Sequence, residues 1–77
     1  MKLEVLSEKG VLVSKEVSSV ILPGMEGSFG ILPDHTPFLS MLTKGHLTYF
    51  APEETSMDIE GGFVEVRNDR VCVCLTV

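Results

Sequence analysis

Two histidines, two cysteines and a scatter of serines and carboxylates are the side chains here that could ligate, titrate or attack near neutral pH. His35, His46, Cys72 and Cys74 together carry the donor types of a His2Cys2 metal site. Their spacing matches no metal signature, because the cysteines lie far downstream of both histidines, in a segment that reads as a strand. Side chains two apart in a strand point to one face, so Cys72 and Cys74 read as small apolar residues of a packed face. A disulfide between them would be strained. Ser28, Ser40 and Ser56 lack the strand-turn-helix elbow that exposes a nucleophile. Gly24, Gly27 and Gly30 recur every third residue with no helix following, which reads as turn geometry and not as a phosphate loop. Glu53-Glu54 and Asp58/Glu60 read as solvated acidic positions, with no paired general acid and base. No catalytic, cofactor-binding or metal-ligating residue is assigned. His35 remains of interest. Pro33 and Pro37 bracket it, which lowers the entropy cost of presenting the imidazole to its own loop or to a partner.

The elements that must position these groups all read as strands. Met1 to Ser7 alternates, with Leu3 and Val5 on one parity. Glu8-Lys9-Gly10 is a turn. Val11 to Leu22 is rich in β-branched residues, and its apolar parity switches near Val20, as at a bulge or where a strand passes from one sheet to another. Leu22 to Leu42 holds three of the four prolines and three of the seven glycines, yet it is apolar. It reads as short packed strands framed by turns at Pro23-Gly24, at Glu26-Gly27-Ser28 and at Pro33 to Pro37. Phe29 is expected to anchor the core, and Pro37 to Thr43 is expected to be a buried strand. His46 to Phe50 and Thr55 to Glu60 are further strands, and Gly61-Gly62 allows a bend. Phe63 to Arg67 and Arg70 to Val77 form a hairpin across Asn68-Asp69. No stretch carries a helical repeat of apolar residues. Short strands with turns this frequent predict an antiparallel sandwich or flattened barrel. Because both parities are apolar in several strands, one sheet is expected to have its outer face covered by something else.

Composition narrows the function. Seventy-seven residues make one domain, residues 1–77, near the lower limit for an independent core. With 44% hydrophobic residues, a body this small is expected to leave apolar surface for a partner. The net charge is −5, and the six basic residues are scattered singly. Nucleic acid and anionic lipid both require basic patches, so neither is an expected partner. No apolar run approaches the ~20 residues of a spanning helix, so direct membrane insertion is not expected. The first residues carry Glu4 and Glu8 in place of a signal peptide's apolar region, which places the expected site in the cytosol or its equivalent.

Leu22-Pro23-Gly24, Gly27, Phe29-Gly30, Leu32-Pro33, His35 and Pro37 fall in register on the pattern LPG-x-x-G-E-F-G-x-L-P-G-H-A-P-L. That pattern is typical of the epsilon subunit of bacterial and chloroplast F-type ATP synthases. Ile59-Glu60-Gly61-Gly62-Phe63-Val64-Glu65-Val66 resembles a second block of the family, x-x-G-G-F-x-E-V, and Leu3-Glu4-Val5 with Gly10 fits its opening. The resemblance covers the whole chain. It departs at Ser28, where the family's glutamate is usual, and at Asp34 and Thr36, where Gly and Ala are common. The chain also stops where family members commonly add two C-terminal helices, and a naturally short subunit is expected over a fragment.

The resemblance implies a ten-stranded antiparallel β-sandwich in the central stalk of a proton-translocating rotor. The partners it implies are the gamma subunit and the membrane-embedded c-ring, on the cytoplasmic face of the bacterial plasma membrane as a peripheral protein. Mapped residue by residue, Glu26, Gly27 and Ser28 are expected to face the c-ring, and Ser7, His35 and Ser40 are expected near gamma. The expected role is mechanical, coupling ion flow to ATP synthesis, without catalysis or cofactor. The alternative is a free-standing small β-barrel that binds a metal or small ligand.

Overall fold

Alternating apolar residues between glycine and proline punctuation produce strands throughout. The computed structural model describes residues 1–76. Its strands are β1 (Lys2–Ser7), β2 (Gly10–Glu16), β3 (Ser19–Gly24), β4 (Gly27–Ile31), β5 (Phe38–Leu42), β6 (Gly45–Phe50), β7 (Glu54–Ile59), β8 (Gly62–Arg67) and β9 (Arg70–Leu75). The all-β sandwich reading holds in class, with two corrections. Nine strands form among the described residues, not the ten that the resemblance implies, and Leu32 to Pro37 is the loop read from its prolines. One pair is parallel: β1 has β2 as its antiparallel hairpin partner on one edge and β9, running parallel to it, on the other. Val77, the end of the expected last strand, lies outside the described residues.

The order β2-β1-β9-β8-β5-β3-β6-β7, with β4 on β3, is one hydrogen-bonded sheet. It folds in two where β5 meets β3 at a single register pair, Gly24 with Leu42. The first wall is β2-β1-β9-β8-β5 and the second is β4, β3, β6 and β7. The parity switch near Val20 is where the chain crosses between them. After β2 the backbone amides of Val17 and Ser18 donate to Met1 and Phe50, each at 2.8 Å, and β3 begins on the second wall.

The inward residues of both walls make one core: Leu3, Val5, Val64, Val66, Val71 and Val73 from the first, Val20, Leu22, Ile31, Leu47, Tyr49 and Ile59 from the second. Among the described residues no polar or charged side chain is buried. Burial of this apolar surface, at about 25 cal/mol per Å², and the ladders therefore hold the fold together. At the bend before β8, Gly61 and Gly62 take φ of +148° and +145°. A Cβ on Gly62 would stand 2.2 Å from the carbonyl oxygen of Cys74, so this approach of β8 to β9 requires glycine. Two expectations are corrected. Phe29 packs on the core only half-buried, and β5 is not a buried strand, because Leu39 and Met41 turn outward.

Candidate functional site

The outward parity of the first wall forms three cross-strand rows, fixed by register. The first is Met41, Phe63, Cys74, Leu6 and Val11, one residue from each of five neighbouring strands. It is apolar along its length and open to solvent, with Met41 61%, Phe63 43% and Val11 60% exposed. At roughly 4.8 Å per strand it extends about 19 Å. The second row, Leu39, Glu65, Cys72, Glu4 and Ser14, mixes thiol, acid and one exposed leucine. The third, Arg67, Arg70, Lys2 and Glu16, is charged. The face therefore grades from apolar at the β8 bend to charged at the Asn68-Asp69 turn.

Two loops flank the seam between β4 and β5. Met25 and Glu26 form the β3–β4 turn, and Gly27 follows with φ +120°. Glu26, Gly27 and Ser28 are all exposed. They line an open hollow of about 400 Å³ together with Gly24, Met25, Phe29, Phe38 and Ser40. Phe29 and Phe38 meet edge to face at 5.5 Å, and Phe38 meets the His35 ring in the same way at 5.6 Å. His35 Nδ1 lies 2.8 Å from the Thr36 carbonyl oxygen, to which it donates when protonated. Asp34, at φ +65°, donates its backbone amide to the Asp69 carboxylate at 3.3 Å, which ties the proline loop to the β8–β9 turn.

Of the six positions singled out in the sequence, the structure gathers Glu26, Gly27, Ser28 and Ser40 around this hollow and sets His35 at its margin through Phe38. Ser7 stands apart at the end of β1, its hydroxyl accepting the Lys9 amide at 3.1 Å. Ser40 shares the parity of Phe38 and Leu42, and Ser7 that of Leu3 and Val5, so neither serine stands on the outward face that carries the apolar row. The row itself is what sequence reasoning missed. Its signal was present as apolar residues on both parities, but linking them needed registers between strands distant in the chain.

The four His and Cys residues do not converge. His46 pairs with Asp58 on the second wall, His35 lies on Phe38, and the cysteines sit on β9. Among the described residues no group of three or more His, Cys, Asp or Glu could hold a metal ion. Burial pushes the Cys72 thiol up from its ordinary pKa, and Cys74, Glu4 and Glu65 raise it further.

Comparison with known proteins fits this geometry. Residues 1–76 match the family described as ATP synthase, Delta/Epsilon chain, beta-sandwich domain. The ATP synthase epsilon chain of Dehalococcoides mccartyi is 42% identical over 74 residues, 95% of this chain and 53% of that protein. The epsilon chain of Leptospira interrogans is 39% identical over 74 residues, 95% of this chain and 58% of that one. The chain thus spans about half the length of the curated relatives it matches. Among solved structures, the central stalk/c-ring of Tetrahymena thermophila mitochondrial ATP synthase contains a chain of the same fold. It has TM-score 0.87 at 16% identity, covering 100% of this chain and 63% of that chain. A chain from the OSCP/F1/c-ring structure of Euglena gracilis mitochondrial ATP synthase gives TM-score 0.86 at 22% identity, over 95% of this chain and 48% of that one.

Proposed function

This chain belongs to the ATP synthase delta/epsilon chain family, through its beta-sandwich domain, and from that premise we propose that it is a non-catalytic subunit of the central stalk. It belongs in this reading to the F1 sector of a proton-translocating ATP synthase, peripheral to the cytoplasmic face of a bacterial membrane. Catalysis is carried by other subunits. This one couples rotation to ion flow as a stiff spacer between gamma and the c-ring.

The observation that carries the reading is the apolar row of the first wall. Nothing in the fold requires Met41, Phe63, Leu6 and Val11 to be apolar, since their opposite parity already fills the core. A stable interface buries roughly 800 Å² per partner, about a sixth of the 4806 Å² this chain exposes. The row, with Leu39, is the gamma-facing surface in this reading; Ser7, His35 and Ser40, expected near gamma, lie off that face, the two serines on the opposite parity. The turn Glu26-Gly27-Ser28 is the c-ring contact, offered from the far side of the Phe29–Phe38 seam. Torque requires that the two contacts not move relative to one another. A single sheet folded on one core, with the proline loop tied to Asp69, provides that stiffness.

The test is co-purification. Mixed with the gamma subunit of the same organism's enzyme, the chain is expected to co-elute in size-exclusion chromatography, and in detergent-solubilised membranes it is expected to migrate with the ATP synthase. Migration solely as a small free species, with no binding to gamma, would overturn the proposal.

A further inference from the structure

We propose that Cys72 and Cys74 form a dithiol site for a trivalent organoarsenical, a thiophilic centre that needs only two protein sulfurs because it brings its own third substituent. Both cysteines are free, half-buried and on the outward parity of β9, with the core residue Val73 between them. Two strand steps separate their Cα atoms by about 6.6–6.8 Å.

This geometry selects among thiol chemistries. A direct disulfide usually needs Cα atoms about 4.4–6.8 Å apart, so a flat strand holds the pair at the far limit. β9 cannot pucker to close the gap, being bonded to β1 on one side and β8 on the other. An inserted atom, at roughly 2.3 Å from each sulfur as in thiolate–metal bonds, bridges the pair without moving the backbone. Four-coordinate zinc would need two further ligands. Glu4 and Glu65 flank Cys72 in register, yet no third His, Cys, Asp or Glu among the described residues completes a metal site. A free divalent cation must also displace both thiol protons, and burial and the acidic neighbours hold the Cys72 proton tightly. An arsenic(III) oxide avoids that cost. Two As–S bonds form, the arsenic–oxygen bond is lost, and both thiol protons leave on that oxygen as one water, with no change in oxidation state. The surroundings also suit an aryl substituent. Phe63 and Leu6 lie directly across from Cys74.

The experiment uses phenylarsine oxide and the reduced, folded chain, read by intact mass spectrometry and by maleimide labelling of free thiols. One adduct per chain, with both thiols blocked together, is expected. Cys72→Ser and Cys74→Ser, with Cys→Ala versions as second variants, are expected to weaken binding roughly a hundredfold or more, since the second bond is then no longer intramolecular. Urea midpoints establish that each variant is folded. Absence of an adduct on the folded chain, retention of full affinity in either single variant, or reaction only in urea would overturn the proposal. None of these outcomes depends on gamma binding, so this site and the stalk reading fail separately.

Discussion

The two walls solve the same inward problem and differ outward. Inside, both alternate in step with the pleat and bury Val, Leu and Ile. Outside, the first wall carries the row Met41-Phe63-Cys74-Leu6-Val11. The second carries polar cross-strand pairs: His46 with Asp58, and Thr48 with Ser56, whose hydroxyls lie 2.7 Å apart. Its outward apolar residues continue into no row: Ile21, 39% exposed, stands between Gly30 and Thr48, and half-buried Phe50 stands between Ser19 and Glu54. One apolar parity suffices to fold an antiparallel sheet. The second, on one wall alone, is surplus to folding, and in the proposed reading it belongs to the partner.

The largest expected effect concerns how the first wall is held in register. Gly62→Ala puts a Cβ 2.2 Å from the Cys74 carbonyl at a φ of +145°, and is expected to cost about 3 kcal/mol or more from strain and overpacking combined. Gly30, on the second wall, has only the Val20 carbonyl oxygen near, at 3.9 Å. Gly30→Ala is expected to be neutral or stabilising by up to about 1 kcal/mol. Urea unfolding of both variants checks the contrast, and equal losses would mean that the β8 bend does not control the sheet.

The outward faces are compared directly by charge. Phe63→Asp is expected to weaken gamma binding by at least about 2 kcal/mol, roughly 30-fold, as truncation of a central aromatic anchor does. Thr48→Asp, on the other wall, is expected to leave binding within about 0.5 kcal/mol. Calorimetric titration against gamma reads both. If Thr48→Asp proves the more damaging, the docking wall has been assigned to the wrong side.

What sequence reading reached follows from how local each signal is. Asn68-Asp69 implied a tight hairpin, and both residues take positive φ, 53° and 60°. Gly61-Gly62 implied a bend, and the parity switch near Val20 implied a crossing; both lie within a few residues of their cause. Pro23-Gly24 was misplaced as a turn. Pro23 instead lies in β3 opposite Ser28, and its carbonyl accepts the Thr43 amide at 3.0 Å. The turn falls on Met25-Glu26. Burial of Pro37 to Thr43 was overestimated because composition cannot tell which neighbour covers Leu39 and Met41. The parallel β1–β9 pair and the apolar row depend on residues some seventy positions apart in register, such as Leu6 and Cys74, and no local pattern encodes that.

The seam between the walls gives a smaller effect. Phe29 is half-buried and meets Phe38 at 5.5 Å. Phe29→Ala is therefore expected to cost about 1–2 kcal/mol, less than the ~3–5 kcal/mol of a fully buried phenylalanine. Urea unfolding checks it, and a loss above that range would restore Phe29 as the core anchor its sequence position implied.

The smallest effect decides why the second wall is polar at all. Thr48 and Ser56 stand opposite each other, exposed, with their hydroxyls hydrogen-bonded. Replacing one alone, Thr48→Val or Ser56→Val, is expected to cost no more than about 1 kcal/mol, because water can satisfy the hydroxyl left behind. Replacing both gives a cross-strand pair of β-branched apolar residues, which a pleated surface accommodates well. The double variant is expected to unfold within about 0.5 kcal/mol of the original chain. Its association state is where it should differ, since it would carry exposed apolar surface on both walls, and light scattering at rising concentration is expected to detect self-association that the original chain lacks. If the double variant loses stability as the sum of the two single changes, the polar pairs are structural. If it keeps its stability and becomes sticky, polarity on that wall limits docking to the other, and the asymmetry between the walls belongs to function and not to folding.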